Sequence, residues 1–220
     1  MKIIANKNQQ RLFSDAADII EDSIKGLLKK QEKVVMGLPG GRSMPGLFSE
    51  LKKKEIPWKN AHIFMIDERL VPIDDKDSNF RLINDNLICG LKIPKANIHP
   101  FVVEKGIQEY EHELIKHGGA YDITVLSAGE DGHIGALYPN HHSIEDDSEY
   151  FIIMHDSPKP PKDRMSCSRR LLMRSKVAIL LFIGEGKKRA FEKFKGKADF
   201  NELPAKLVEA IEDSYVLTDL

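Results

Sequence analysis

The chain has 220 residues, with 33 Lys and Arg against 34 Asp and Glu and a formal net charge of −1. A chain of this length can bury a substantial core without disulfide or metal staples, and 41% hydrophobic against 30% charged residues is an ordinary globular makeup. Near-neutral charge gives no general electrostatic reason to bind nucleic acid or an anionic membrane, so neither is expected as a partner. The only two cysteines, Cys89 and Cys167, lie outside any C-x-x-C spacing, which argues against a disulfide scaffold and a structural zinc site. The apolar run within residues 1–6 is too short for a signal peptide. The longest apolar stretch, residues 177–183, falls far short of the roughly 20 residues that span a bilayer. A cytoplasmic protein is the expectation.

In chain order, the helical period appears first. Phe13, Ala16, Ala17, Ile20, Ile24, Leu27 and Leu28 fall on one face at 3.6 residues per turn. The apolar run 34–36 then leads into Gly37-Leu38-Pro39-Gly40-Gly41. A helical pattern follows at Leu47, Phe48 and Leu51. Residues 62–66 lead into Asp67-Glu68-Arg69, and further helical patterns run through Phe80, Ile83 and Leu87 and through Tyr110 and Leu114. Residues 123–126 lead into Ser127-Ala128-Gly129, and residues 177–183 into Gly184-Glu185-Gly186. Short continuous runs rich in Val and Ile suit strands buried on both faces. Residues 150–154 and 215–217 are weaker strand candidates. Helices are expected around Ala190, Phe191 and Phe194 and around Leu207, Val208 and Ile211. This alternation predicts an α/β fold: a Rossmann-like three-layer arrangement with a mostly parallel sheet flanked by helices, as one domain over residues 1–220.

In such sheets ligands bind beyond the carboxyl ends of the strands, so four loops should open on one side. Gly40, Gly41, Arg42 and Ser43 precede a helix and suit either a phosphate cradle or a tight turn with Ser43 as N-cap. The segment is not a Walker A loop, because Arg42-Ser43 stand where Gly-Lys is required. Nor is it a nucleophile elbow, since Gly46 falls one residue too late after Ser43. Asp67-Glu68-Arg69 can orient a base, grip an anion or close a loop by an internal ion pair. Asn79 and Arg81 read as a helix cap and a solvated face that can fold back to the same mouth. In Gly129-Glu130-Asp131-Gly132-His133, a histidine at or near a helix start is expected to stay neutral and available as a base, with Asp131 orienting its ring. After the fourth strand, Lys187 opposes the dipole of the next helix, a cost that an anionic ligand offsets, and Arg164 can add a second cation. Lys188 and Arg189 read as a solvated basic face. The proline-rich segment 157–161 is as long as an active-site loop, and His141 and His142 read as loop residues without a completed metal site.

Together, Gly40-Gly41-Arg42-Ser43, Asp67-Glu68-Arg69, Asn79, Gly129-Glu130-Asp131-Gly132-His133, Leu137-Tyr138-Pro139, Pro160-Pro161-Lys162-Asp163-Arg164, Gly184-Glu185-Gly186-Lys187 and Leu203-Pro204-Ala205 resemble the 6-phosphogluconolactonase family over nearly the whole chain. Arg69, in place of the Tyr of the related glucosamine-6-phosphate deaminases, and Ala136-Leu137-Tyr138-Pro139 are similar to the lactonase branch. Pro39, Arg42, Ser127-Ala128 and Ile134-Gly135 depart from that branch's usual pattern.

The resemblance implies a hydrolase that converts 6-phospho-D-glucono-1,5-lactone to 6-phosphogluconate in the pentose phosphate pathway, without a metal or cofactor. On that reading His133 activates water, Asp131 orients it, and Arg69 stabilises the developing oxyanion or binds sugar hydroxyls. The phosphate sits on Gly40, Gly41, Arg42 and Ser43, with Arg164 and Lys187 as counter-charges, and Asp67 and Asn79 complete the substrate site. The alternatives are an amino-sugar-phosphate deaminase, with Asp67 as its base, and a non-catalytic sugar-phosphate sensor. Oligomeric state is not legible in the sequence.

Overall fold

The computed structural model describes residues 1–220. Its elements follow in chain order as β1 (Lys2–Ala5), α1 (Gln9–Leu27), β2 (Val34–Leu38), α2 (Met44–Leu51), β3 (Ala61–Met65), β4 (Asp67–Arg69), α3 (Asn79–Asn86) and β5 (Ile98–His99). They continue as α4 (Gly106–Lys116), β6 (Ile123–Ser127), α5 (His142–Glu145), β7 (Phe151–Met154), β8 (Arg164–Cys167), α6 (Arg169–Met173), β9 (Val177–Phe182), α7 (Lys188–Lys195) and β10 (Asp213–Thr218).

Seven strands form one parallel sheet in the order β1-β10-β9-β6-β2-β3-β5. Every residue of β2 and β9 is buried, as expected of central strands covered on both faces. Leu12, Phe13, Ala16, Ala17, Ile20 and Ile24 form the buried stripe of α1, which packs on α2 and β10. Asn8 caps α1 by accepting the Arg11 amide at 3.1 Å. The expected α/β class and mostly parallel sheet are therefore present. No helix is long and apolar enough to cross a membrane.

One expected strand forms in a different sheet, and one expected helix takes another form. Residues 151–154 do not join the parallel sheet; they pair antiparallel with β8, which pairs antiparallel with β4 in a separate three-stranded sheet. Ile66 links the sheets: its amide donates to Leu38 at 2.9 Å and its carbonyl accepts from Cys167 at 2.7 Å. The pattern at Leu207, Val208 and Ile211 forms 3-10 turns over Pro204–Ala210 rather than an α-helix. Its amides bond three residues back, Lys206 to the Leu203 carbonyl at 2.8 Å and Ile211 to the Val208 carbonyl at 3.2 Å, the tighter 3-10 pattern.

Glu68 shows how the small sheet is anchored. Its carboxylate accepts the amides of Arg69, Asn79 and Phe80 at 2.7 Å each and the Ser78 hydroxyl at 3.1 Å. The side chain is almost fully buried; burial pushes its carboxyl up, against the downward pull of the amides. This carboxylate gathers the start of α3 and neither grips an anion nor closes an internal ion pair with Arg69. Glu68→Ala leaves these buried donors without their acceptor and is expected to cost about 3–5 kcal/mol. Chemical denaturation checks this, with Glu68→Gln expected to lose less; an unchanged midpoint would show that water replaces the carboxylate without cost.

Candidate active site

The order of the main sheet reverses between β2 and β6: the chain adds β3 and β5 on one side of this pair and β9 and β10 on the other. Loops leaving the carboxyl ends of neighbouring strands at such a point diverge and open a crevice. Here the crevice is a basin of about 760 Å³ reached by all four expected loops and by the proline-rich segment. Gly40, Gly41, Arg42, Ser43, Asp67, Arg69, Asn79, His133, Arg164 and Lys187 all line it. Asp131 does not line it but stands behind His133.

His133 is held by a turn, not by a helix. Gly129 N–H donates to the His133 carbonyl at 2.8 Å, Gly132 N–H to the Gly129 carbonyl at 3.1 Å, and Gly132 has φ +88°. The Asp131 carboxylate accepts the His133 amide at 3.2 Å, a short-range side-chain turn that competes with helix formation. The next helix begins only at His142, so the expected helix-dipole effect on His133 is absent. Its electrostatic neighbours are the Asp131 carboxylate, 2.5 Å from Nδ1, and the Lys159 ammonium, 3.4 Å from Nδ1 and 3.0 Å from Asp131. Burial pushes the Asp131 carboxyl up, but hydrogen bonding and charge from His133, together with Lys159, outweigh it and hold the carboxyl below its usual range. With Nδ1 engaged by an acceptor, Nε2 is the imidazole nitrogen left to accept a proton. The turn is tight around the ring: a Cβ on Gly129 would lie 2.1 Å from it.

The glycine loop brings backbone and hydroxyl groups to the opposite wall. Gly41 has φ +116°, and Ser43 precedes α2 in a helical conformation without capping it. Its hydroxyl instead lies 3.0 Å from that of Ser127, which accepts from the Lys187 ammonium at 3.0 Å. Burial, and then the charge of Arg42, lower Lys187 to about 8. Arg42 is largely exposed and pairs with Glu130 at 3.1 Å, bridging the glycine loop to the histidine turn.

The floor is polar and buried. Asn79 Nδ2 donates to the Asp67 carbonyl at 2.9 Å and carboxylate at 3.0 Å, while its Oδ1 has no partner. Asn79 is thus not the helix cap; Ser78 is, accepting the Arg81 amide. Arg81 stays on the solvated face, bonded to the Asp74 carbonyl. Arg69 donates from Nη1 to the Asp77 carbonyl at 2.5 Å, and its buried Nε is unpartnered. Arg164 lies 3.8 Å from Asp67 and spends its other donors on the carbonyls of Pro160 and Pro161, at 2.9 and 3.0 Å. It therefore shapes the proline-rich segment as well as carrying charge.

Lys159, Ser127 and Glu130 were not singled out as site residues from sequence. Lys159 sits in the segment already marked as loop-like, and Ser127 ends β6, so position alone offered a signal for both. His142 proves to be the first residue of α5, and Asp156, from a distant loop, lies 2.9 Å from it.

A family model described as glucosamine-6-phosphate isomerases/6-phosphogluconolactonase matches residues 7–217. The 6-phosphogluconolactonase of Borreliella burgdorferi is 31% identical over 223 aligned positions, covering 95% of each chain. That of Thermotoga maritima is 31% identical over 172 positions, 76% of this chain and 77% of the other. The crystal structure of a 6-phosphogluconolactonase from Thermotoga maritima matches with a TM-score of 0.87 at 27% identity, covering 100% of this chain and 99% of that one. A monomeric glucosamine-6-phosphate deaminase, at 23% identity and a TM-score of 0.83, shares the fold. Sheet order, loop placement and sequence agree: the chain belongs to the glucosamine-6-phosphate isomerase/6-phosphogluconolactonase family.

Proposed function

We infer that this chain is a cytoplasmic 6-phosphogluconolactonase, a single domain that hydrolyses 6-phospho-D-glucono-1,5-lactone to 6-phosphogluconate in the pentose phosphate pathway. One observation carries the assignment of roles: an Asp131–His133 pair whose free Nε2 edge meets a basin ringed by Arg42, Arg69, Arg164 and Lys187. The lactonase names of the relatives support the reaction class.

A δ-lactone is an activated ester, so water needs only a positioned base. His133 Nε2 takes a proton from water as its oxygen attacks C1, and negative charge develops on the former carbonyl oxygen. Arg69, which lines the basin, stabilises that oxyanion. The tetrahedral intermediate collapses by breaking the bond from C1 to the ring oxygen, which takes the proton back from the imidazolium. Asp131 stabilises the imidazolium and fixes the ring, and Lys159 holds Asp131 from the far side. The phosphate rests on the Gly40-to-Ser43 loop, where the Ser43 hydroxyl and the ammonium of Lys187 converge through Ser127. Asp67 and Asn79 meet the sugar hydroxyls. The deaminase alternative needs Asp67 as a C2 base; its Oδ2 accepts from Asn79 and faces Arg164, an arrangement suited to positioning more than to proton abstraction.

The deciding assay is lactone hydrolysis coupled to 6-phosphogluconate dehydrogenase, corrected for the spontaneous rate. His133→Ala is expected to lose about 10²–10⁴-fold in kcat with KM little changed; full activity would remove His133 as the base. Ammonia release from glucosamine 6-phosphate, without lactone turnover, would transfer the assignment to the deaminase branch. Gly129→Ala is expected to lower kcat more than it raises KM, because the added methyl displaces the imidazole while the phosphate wall stays intact. Lys187 is charged below about 8 and neutral above it. KM for the phosphorylated lactone is therefore expected to rise as pH passes upward through that value, and Lys187→Met is expected to show a high KM with that rise removed.

A further inference from the structure

The opposite end of the sheet carries a second cluster of chemistry-bearing side chains. His62 on β3, His99 on β5 and His117 at the end of α4 each place one ring nitrogen within 4.8 Å of the others. His62 lies five positions before Asp67, about 16 Å along an extended chain, so the cluster is separate from the catalytic basin.

The protonation pattern can be read from the partners. The Glu113 carboxylate only accepts, and it lies 3.3 Å from His99 Nδ1, so Nδ1 carries the proton and Nε2 keeps a lone pair. That lone pair faces His62 Nδ1 at 3.0 Å. Two nitrogens each about 2.0–2.1 Å from one metal ion in tetrahedral geometry lie about 3.3 Å apart, close to this separation, and a reorientation of the two nearly parallel rings aims both lone pairs at one cation. The Nδ1–H of His99 on Glu113 is then the carboxylate–histidine arrangement that orients a metal ligand from behind. His117 has Glu113 3.5 Å from Nε2 and the Lys33 ammonium 2.9 Å from Nδ1. An ammonium only donates, so Lys33 already occupies the lone pair of the third imidazole with a positive charge.

A competing cluster is less suitable. His141, His142 and Asp156 also come together, but the Ser143 amide donates to His141 Nδ1 at 3.2 Å. That places the ring proton on Nε2, the nitrogen that faces Asp156 at 3.6 Å.

We propose that His62, His99 and His117 bind one divalent transition-metal ion of the zinc or nickel class, positioned by Glu113 and opposed by Lys33. The ion ties edge strand β5 and the end of α4 to β3, a stabilising role apart from catalysis. His62 exchanges the Nδ1 proton for the metal and carries its ring proton on Nε2, so that its ring stays neutral.

The test is calorimetric titration of the untagged full chain with ZnCl₂ and with NiCl₂ near pH 7.5, with melting temperature followed in parallel. One equivalent is expected to bind and to raise the melting temperature. His62→Ala and His99→Ala should each abolish binding, while lactonase kinetics remain those of the parent chain. Glu113→Gln is expected to weaken binding by about 10–100-fold. Lys33→Gln, a half-buried substitution that leaves all three rings in place, should tighten it several-fold because the competing ammonium is gone; this direction keeps the proposal testable even where a histidine variant fails to fold. Cobalt(II) should give the intense visible absorption of a four-coordinate site. Absence of binding at millimolar metal, binding lost in His142→Ala but retained in His99→Ala, or affinity indifferent to Lys33→Gln would overturn it.

Discussion

The pairing of β2 with β6 is the constraint on which the site depends. Asp122 enforces it: its carboxylate accepts the Val35 amide at 2.8 Å, its own amide donates to the Val35 carbonyl at 2.8 Å, and its carbonyl accepts from Val177 at 2.9 Å. One residue at the entrance of β6 thus ties three central strands together, with Lys176 balancing its charge at 2.8 Å. Because parallel strands share a direction, fixing their starts also fixes where their carboxyl ends open. The glycine loop after β2 and the histidine turn after β6 become facing walls for this reason.

The small antiparallel sheet supplies the rest of the basin. The dipeptide Asp67-Glu68 divides its work because successive residues of a strand point to opposite faces. Glu68 turns toward the start of α3 and satisfies its amides, whereas Asp67 turns toward Asn79 and Arg164. One short strand therefore anchors a helix and builds the floor of a polar cavity. Its partner β8 begins at Arg164, whose guanidinium holds the proline-rich segment and so sets the backbone that carries Lys159 to the Asp131–His133 pair.

Electrostatics differ between the ends of the sheet. At the carboxyl end, cations surround a crevice with one histidine held by a carboxylate, an arrangement suited to a phosphorylated substrate and a proton shuttle. At the amino end, three imidazoles gather around one carboxylate with a single ammonium against them. Both use a carboxylate behind an imidazole, and the difference lies in what the free nitrogen faces: the open basin for His133, a second imidazole for His99.

The amino-acid sequence by itself determined the alternation of elements, because buried parallel strands and amphipathic helices leave strong local patterns, as in residues 177–183 and the stripe from Phe13 to Ile24. It also marked most basin residues, since glycines and charges directly after a strand stand out locally. It did not reveal β4 and β8, whose short, polar and charged segments owe their strand conformation to each other, nor the non-helical setting of His133, which arises from Asp131 and positive-φ glycines. Lys159 beside Asp131, Arg42 with Glu130 and the three histidines at 62, 99 and 117 join residues far apart in the chain with no motif spacing. Such contacts are decided by how strands stack and loops return. Only the tertiary structure brings them together, because side-chain chemistry is local in sequence while distance is a property of the fold.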